Sequence, residues 1–397
     1  MLIKKQIAII GGGPSALLLA AFIDTQKYTV TIYEKNKATG RKFLVAGKGG
    51  FNLTHAEPLK SFINKYTPKG FLDDAILNFS NTDFMSWLNA INIPTYIGSS
   101  KRVYPDKEIK PIAVLQAILL TLKNKGVVIN YNQLFTGWDI NNKALINNKS
   151  ITANYTVFCL GGKSWQVTGS NGLWQDTFFK KGIETKPFMA SNCGYNIKWD
   201  THFIKSHEGE PLKNITISCR SMVQKGEATI TKFGLEGNAI YGLSPEIRYS
   251  LKQWGCATIS LDFKPMLSLD VVLNKLQKSK QKNITQALKK DLKLTGGQVA
   301  LLKSHLSKQT FLSSNLLAKH VKGLSIKITG TATIDESIST VGGVSLNAVN
   351  NNFELKAMPN QYCIGEMLDW DAPTGGYLLQ ACASMGVYLA KYFNSCQ

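Results

Sequence analysis

Six residues near the start, Gly11-Gly12-Gly13-Pro14-Ser15-Ala16, and one carboxylate, Glu34, have the types and spacing to hold a dinucleotide. Gly11 permits a tight turn. Gly13 lets backbone N–H groups approach a pyrophosphate at a helix N-terminus, and the small Ala16 keeps that helix close to a sheet. Glu34 lies about 20 residues further on, where a carboxylate can accept both hydroxyls of an adenosine ribose. The elements around these residues are legible. Ile7-Ala8-Ile9-Ile10 reads as a buried strand, Leu17 to Phe22 as an apolar helix, and Tyr28–Tyr33 as a second strand that closes on Glu34. Strand, glycine turn, helix and strand together are the grammar of a dinucleotide-binding unit.

The next stretch, Lys35 to His55, includes Gly40-Arg41-Lys42 and Ala46-Gly47-Lys48-Gly49-Gly50-Phe51-Asn52-Leu53-Thr54-His55. It is too rich in glycine for a helix and too apolar for a solvated linker, so it is predicted to be a backbone cradle. Bare glycines suit close approach to a flat polar ring such as a flavin. Arg41 and Lys42 have the charge to neutralise a pyrophosphate. A second strand-to-glycine junction follows at Tyr155–Leu160 and Gly161-Gly162, about 150 residues after the first turn. Near the C-terminus, a strand runs into Gly365-Glu366, a loop carries Asp369, and Gly375-Gly376 opens a last helix, Tyr377–Phe393. An acid at a strand end suits ribityl hydroxyls. A bare helix N-terminus would direct its dipole at the N1–C2=O edge of a flavin and stabilise the reduced ring.

The run Gly40-Arg41-Lys42-Phe43-Leu44, with Ala46, Gly47, Gly49-Gly50 and Asn52-Leu53-Thr54-His55, resembles the HI0933-like or BaiN-like flavoproteins, in their Asn-Leu-Thr-His subgroup. So do Thr340-Val341-Gly342-Gly343-Val344 and Gly365 to Gln380. The resemblance covers both ends of the chain and is weak between 190 and 330. It implies an FAD-dependent oxidoreductase. It also implies FAD contacts at Lys35, Gly342, Gly343, Val344, Leu378 and Gln380, beside the residues quoted above. Lys48 and Phe51 depart from the commoner pattern, so a role resting on a cysteine in that loop is not carried over. Lys48, Asn52, His55 and Tyr377 are candidate catalytic residues by nearness to the ring, and Cys193 is a more distant one. Arg102, in Lys101-Arg102-Val103-Tyr104-Pro105, faces either substrate or solvent.

The 397 residues exceed one ordinary domain, and 44% hydrophobic content is ample for a core. The predicted class is α/β: a Rossmann-like, two-dinucleotide-type FAD domain formed by 1–188 and 329–397. An antiparallel β plus helical insert at 189–328 would interrupt it, with substrate entering between flavin and insert. No apolar run reaches membrane-spanning length, and the first strand begins almost at once, so a cytoplasmic location is expected. The seven cysteines form no C-x-x-C pair, which argues against a disulfide reductase, and the histidines show no metal spacing.

Net charge is +20, from 46 basic and 26 acidic residues. Only four of the basic residues are Arg, and Asn is also abundant, at 29, which points to compositional bias as one source of the lysines. The other source would be a nucleic-acid partner. Ten lysines between Lys264 and Lys308 face two acids, Asp270 and Asp291, and read either as a solvated helix face or as an RNA-docking surface. Val271, Val272, Leu276, Leu288 and Leu292 are predicted to form the buried face beneath them, and Gly296-Gly297 to separate two helices.

There is no second glycine fingerprint, so NAD(P)H would dock transiently as electron donor. The resemblance implies hydride delivery from flavin N5 to an electron-poor C=C. Two substrate classes fit: uracil C5=C6 in ribosomal RNA, and small enones of steroid type. A flavin-bearing protein without turnover is the third reading. The sequence carries no signal for an oligomeric state.

Overall fold

The computed structural model describes residues 4–45 and 50–396. The chain forms two compact units, residues 1–189 with 338–397, and residues 190–337. The second boundary lies beyond the expected 328. Gly330–Thr331 is still an outer strand of the insert's own sheet, and the single turn Ile334–Glu336 follows it.

The first unit is built on a parallel sheet. Its strands are β1 (Lys5–Ile10), β2 (Tyr28–Glu34), β3 (Val128–Tyr131), β4 (Tyr155–Phe158) and β5 (Gln361–Cys363). The spatial order is β5-β4-β1-β2-β3, all parallel. Ile7 to Ile10 are buried, as a central parallel strand covered on both faces requires. Ile10 lies opposite Tyr33 and Phe158, and Phe158 opposite Cys363. This register lines up the carboxyl ends of four strands. Gly11, Glu34, Gly161 and Gly365 therefore leave the sheet along one edge, where ligands of such folds bind.

Helix α1 (Pro14–Phe22) is apolar on every side, with Ser15 to Ala21 buried. It is covered by the C-terminal helix Tyr377–Ser395. The two come so close at Gly386 that a Cβ there would lie 2.6 Å from the Ser15 carbonyl oxygen. Hydrogen bonds also tie that helix to β2 and to the end of α1: Tyr28 Oη donates to the Phe393 carbonyl (2.7 Å) and Asn394 Nδ2 to the Phe22 carbonyl (2.9 Å). Head and tail of the chain thus make one structure.

One local expectation changes. The stretch after Gly40 is not wholly irregular: Arg41–Val45 is a short helix, α2. Gly40 opens it in the left-handed region (φ +65°), and Phe43 is buried edge-on against Phe51, 4.8 Å between centroids. That apolar contact outweighs the glycine content. The helix Asn81–Ala90 is capped by Ser80, with Asp83 closing a capping box from its third position.

The insert is a seven-stranded sheet. Its order is Leu324–Ile328, Ala257–Asp262, Pro211–Cys219, Met222–Thr231, Gly234–Glu236, Tyr195–Asn196, Gly330–Thr331. The first and last strands of that order are consecutive in the chain, separated by Thr329 alone. One residue spans only about 3.5 Å, so the sheet closes on itself as a barrel. Helices Leu269–Gln277, Ile284–Lys290, Gly296–His305 and Ser314–Lys322 lie in the chain between strands Ala257–Asp262 and Leu324–Ile328. Val272, Leu276, Leu288 and Leu292 are buried there, but Val271 is 42% exposed, because the apolar stripe of its helix runs through 272 and 276. Gly296-Gly297 is the first turn of a helix, capped by Thr295 and Gln298, rather than a break between two. Cys193 is buried in the insert's core.

Candidate functional site

The three glycines of the first turn do different work. Gly11 has φ +103°, and a Cβ on it would overlap the Cys159 carbonyl oxygen, so it is required by the crossing of two strand ends. A Cβ on Gly12 would lie 2.6 Å from Thr39 Cγ2 and 2.9 Å from Glu34 Oε2. Gly13 is the N-cap of α1 in an extended conformation (φ −82°), and a Cβ there would meet nothing within 4 Å. No side chain caps α1, and Pro14 occupies its first position. Ser15 and Ala16 are buried behind the turn. The free N–H groups of α1 therefore look onto open space in front of Gly13, which fits a pyrophosphate.

Glu34 is buried at the end of β2. Its Oε2 accepts from Gly12 N (2.7 Å), and its Oε1 from Asn36 N (2.8 Å) and Asn36 Nδ2 (2.7 Å). A carboxylate has about four acceptor positions. With three filled from within, Glu34 has room for about one ribose hydroxyl rather than two. Thr39 Oγ1 is buried nearby without a hydrogen-bond partner. Lys35 Nζ reaches Asn171 Oδ1 (3.3 Å), and partial burial lowers its pKa. Arg41 is held at the rim by Asn36 Oδ1 (3.0 Å) and the Val167 carbonyl (2.8 Å).

Lys42 is not a free cation. Its Nζ pairs with Glu366 Oε2 (2.7 Å) and Oε1 (2.9 Å) and donates to Ser164 Oγ (2.8 Å). Thr340 N also donates to Glu366 Oε1 (3.2 Å). Gly162 packs into this group: its Cβ would overlap Thr340 Oγ1 and lie 3.1 Å from Glu366 Cδ. Gly161, in the left-handed region at φ +71°, leads the chain there from β4.

Several expected cofactor contacts have another explanation. A Cβ on Gly342 would overlap the Pro187 carbonyl oxygen, and one on Gly343 the Met367 carbonyl oxygen. Val344 is fully buried and exchanges backbone bonds with Met367 (2.8 Å) and Asp369 (3.0 Å). Asp369 accepts from Gly342 N (3.0 Å) and pairs with Lys186 (2.7 Å). The glycines here are required by crossing backbones. Gly365 is small because Ser15 Oγ sits 2.5 Å from its Cβ position. Gln380 is fully buried, accepting from Thr54 Oγ1 (2.7 Å) and donating to the Phe79 carbonyl (3.1 Å) and Ser384 Oγ (3.0 Å). Thr54 and Gln380 thus bond each other in the core.

Gly375 and Gly376 both have positive φ (113° and 101°), and Gly376 packs on the Thr54 backbone, its Cβ position 2.5 Å from the Thr54 carbonyl carbon. No side chain caps the helix they open. Around that bare end the chain gathers polar groups from four segments. The Tyr377 ring stacks on His55 (5.2 Å, 23°), and its hydroxyl donates to Glu57 Oε1. Tyr66 Oη donates to the Tyr377 carbonyl (2.9 Å). Arg102 lies in register with His55, its Nε 3.4 Å from the Cβ position of Gly375. Burial, followed by the bond to Glu57, pushes the Tyr377 phenol far above the ordinary tyrosine range. Burial lowers the pKa of His55, whose Nδ1 accepts from Glu57 N (3.2 Å). In the neutral ring the proton then sits on Nε2.

Gly50 has φ +103°, and a Cβ on it would lie 3.5 Å from Tyr104 Cε1; Asn52 and Leu378 are half-buried. Ala46, Gly47, Lys48 and Gly49 lie outside the described residues. Asn36, Ser164 and Glu57 join the site without having been singled out in the sequence. Asn36 and Glu57 carried a signal, each lying two residues after a singled-out residue, Glu34 and His55. Among the described residues no group of three or more His, Cys, Asp or Glu could hold a metal, and no helix is long and apolar enough to cross a membrane.

Open space at an uncapped α1, a carboxylate at the end of β2 and a second uncapped helix in the same unit fit FAD, and the class they define is an FAD-dependent oxidoreductase with a Rossmann-type domain. The chain belongs to the HI0933-like family, whose Rossmann-domain model matches residues 5–392. It is 24% identical to the 3-dehydro-bile acid delta(4,6)-reductase of Clostridium scindens, covering 97% of this chain and 98% of that protein. It is 22% identical to the ribosomal RNA dihydrouridine synthase of Haemophilus influenzae and 22% identical to that of Escherichia coli, in each case over 94% of both chains.

Proposed function

We propose that this flavoenzyme reduces an electron-poor C=C, with uracil C5=C6 in ribosomal RNA as the first candidate, giving dihydrouridine. The observation that carries the reductive chemistry is the bare N-terminus at Gly375-Gly376 with Tyr377, Glu57 and Arg102 beside it. When bound, FAD supplies the hydride at N5. The chain's own part is to bind, orient and hold a proton. The α1 N-terminus at Gly13 holds the pyrophosphate and Glu34 a ribose hydroxyl. The dipole of the last helix favours the reduced ring. Tyr377, neutral at working pH, holds its O–H on Glu57, and this proton goes to the neighbouring carbon when the O–H turns from Glu57 to the substrate, the carboxylate staying beside the ring to return a proton to the phenolate. Arg102 draws charge toward the substrate carbonyl.

The RNA substrate is supported by the names of two relatives and by charge. Lys275, Lys278, Lys280, Lys282, Lys289, Lys290, Lys293, Lys303 and Lys308 are exposed, and among the described residues none of them is ion-paired. Asp291 is occupied by Ser279 and Gln281. Lys264 is half-buried, its Nζ donating to the Lys293 carbonyl (3.0 Å). Deleting the gene and digesting ribosomal RNA tests the reading: a dihydrouridine should disappear, and unchanged RNA would remove it. The bile-acid reductase relative favours a second reading, NAD(P)H-dependent reduction of a small enone. NADH oxidation stimulated by enones, with RNA unchanged, would establish that one.

A further inference from the structure

The insert carries an exposed aromatic cluster that the reductive site does not use. Tyr249 and Trp254 are 48% and 59% exposed, at the end of helix Ser244–Trp254. Their rings meet edge to face, 5.8 Å apart at 77°. Arg220 lies over both, its guanidinium carbon 4.5 Å from the Tyr249 centroid and 5.2 Å from that of Trp254. It comes from the two-residue turn between strands Pro211–Cys219 and Met222–Thr231, in the left-handed region at φ +50°. Glu246 fixes it, pairing with Arg220 Nε (2.8 Å) and accepting from Ser221 Oγ (3.0 Å).

Two large rings exposed on a soluble surface have a cost that burial would have relieved. Here the strained turn, the carboxylate and the arginine hold them in one geometry. The surrounding unit, residues 190–337, has 21 Lys and Arg against 11 Asp and Glu. Unpaired bases stack on aromatic rings and on arginine planes, while a basic surface holds their phosphates. We propose that Arg220, Tyr249 and Trp254 form a stacking platform for an unpaired nucleobase of single-stranded RNA. Lysines of the insert hold the backbone, and the platform takes a base without reading its identity. This rests on the RNA reading of the substrate, and it concerns docking rather than hydride transfer.

The test is anisotropy of a labelled, short single-stranded oligouridylate titrated with full-length protein across a salt series. Trp254→Ala and Tyr249→Ala should each weaken binding about tenfold. They should leave the slope of affinity against salt unchanged, since no phosphate contact is lost. Replacing Lys289, Lys290 and Lys293 with Gln should flatten that slope. Phe233 is the control, 60% exposed in the same unit with Lys232 Nζ 4.7 Å from its ring centroid. Phe233→Ala should bind as wild type. Equal loss in Phe233→Ala and Trp254→Ala, or no loss in Trp254→Ala, would overturn the platform. So would a wild-type dimer that Trp254→Ala turns into a monomer with RNA affinity intact. Trp254-dependent binding alongside unchanged cellular dihydrouridine would support the platform and remove uracil reduction. Lost dihydrouridine with binding indifferent to Trp254 would do the reverse.

Discussion

Alanine at Gly11 and alanine at Gly13 should fail in opposite ways, although the residues are two apart in one turn. At Gly11 the backbone is at φ +103°, and a Cβ would overlap the Cys159 carbonyl oxygen with its carbon 2.9 Å away. The left-handed conformation costs about 1–2 kcal/mol for a residue with a Cβ. Overpacking against a backbone that cannot rotate aside adds about 1–3 kcal/mol. Gly11→Ala should therefore lose about 2–5 kcal/mol of folding stability, a large part of the total of a typical domain. At Gly13 the backbone is extended and a Cβ meets nothing within 4 Å. Gly13→Ala should change stability by no more than about 0.5 kcal/mol. What it does fill is the space in front of α1. FAD affinity should fall at least about tenfold, or about 1.4 kcal/mol. Urea unfolding of FAD-stripped protein reads the first quantity, and FAD titration followed by flavin fluorescence reads the second. Full FAD affinity in Gly13→Ala would refute the assignment of that space to the pyrophosphate. Destabilisation equal to that of Gly11→Ala would refute the reading of the turn.

Other substitutions test the remainder of the site. Lys42→Met leaves Glu366 without its cation and should cost about 1–3 kcal/mol, seen as a lower urea midpoint. Tyr377→Phe should slow substrate reduction about 10²-fold, as loss of a general acid does, while dithionite still reduces the bound flavin as in wild type in stopped flow. Gly386→Ala adds a better helix former, yet should destabilise by more than about 1 kcal/mol, because its Cβ would lie 2.6 Å from the Ser15 carbonyl oxygen and 2.8 Å from Leu19 N. Burial keeps His55 neutral in the fold below the ordinary histidine pKa of about 6.5. The unfolded chain then binds more protons, so stability should fall as pH drops through about 6.5, and His55→Gln should flatten that part of the profile.

What could be read from the residues was local. The glycine turn, the apolar helix after it and the acid at the end of the next strand lie within 30 residues, and each answers to backbone geometry or to a hydrogen bond close in sequence. Gly375-Gly376 before a long apolar helix is legible for the same reason. Gly342 and Gly343 look the same in sequence as ligand-facing glycines, but their Cβ positions are filled by Pro187 and Met367. Gln380 and Thr54 are polar residues within glycine-rich segments, yet they are 326 positions apart and bond each other in the core. Nothing near Lys42 announces Glu366, which is brought to it from the other end of the chain.

By itself the sequence determined the class of fold, the two helix starts and the insert between the two cofactor-domain segments, because turn chemistry and apolar periodicity act over a few residues. Tertiary structure alone decided which glycines face open space and which face another backbone. It decided which charges are already paired, and that His55, Glu57, Arg102 and Tyr377 share one end of a helix. Those outcomes depend on parallel register and on packing between segments hundreds of residues apart, where position along the chain carries no information about distance.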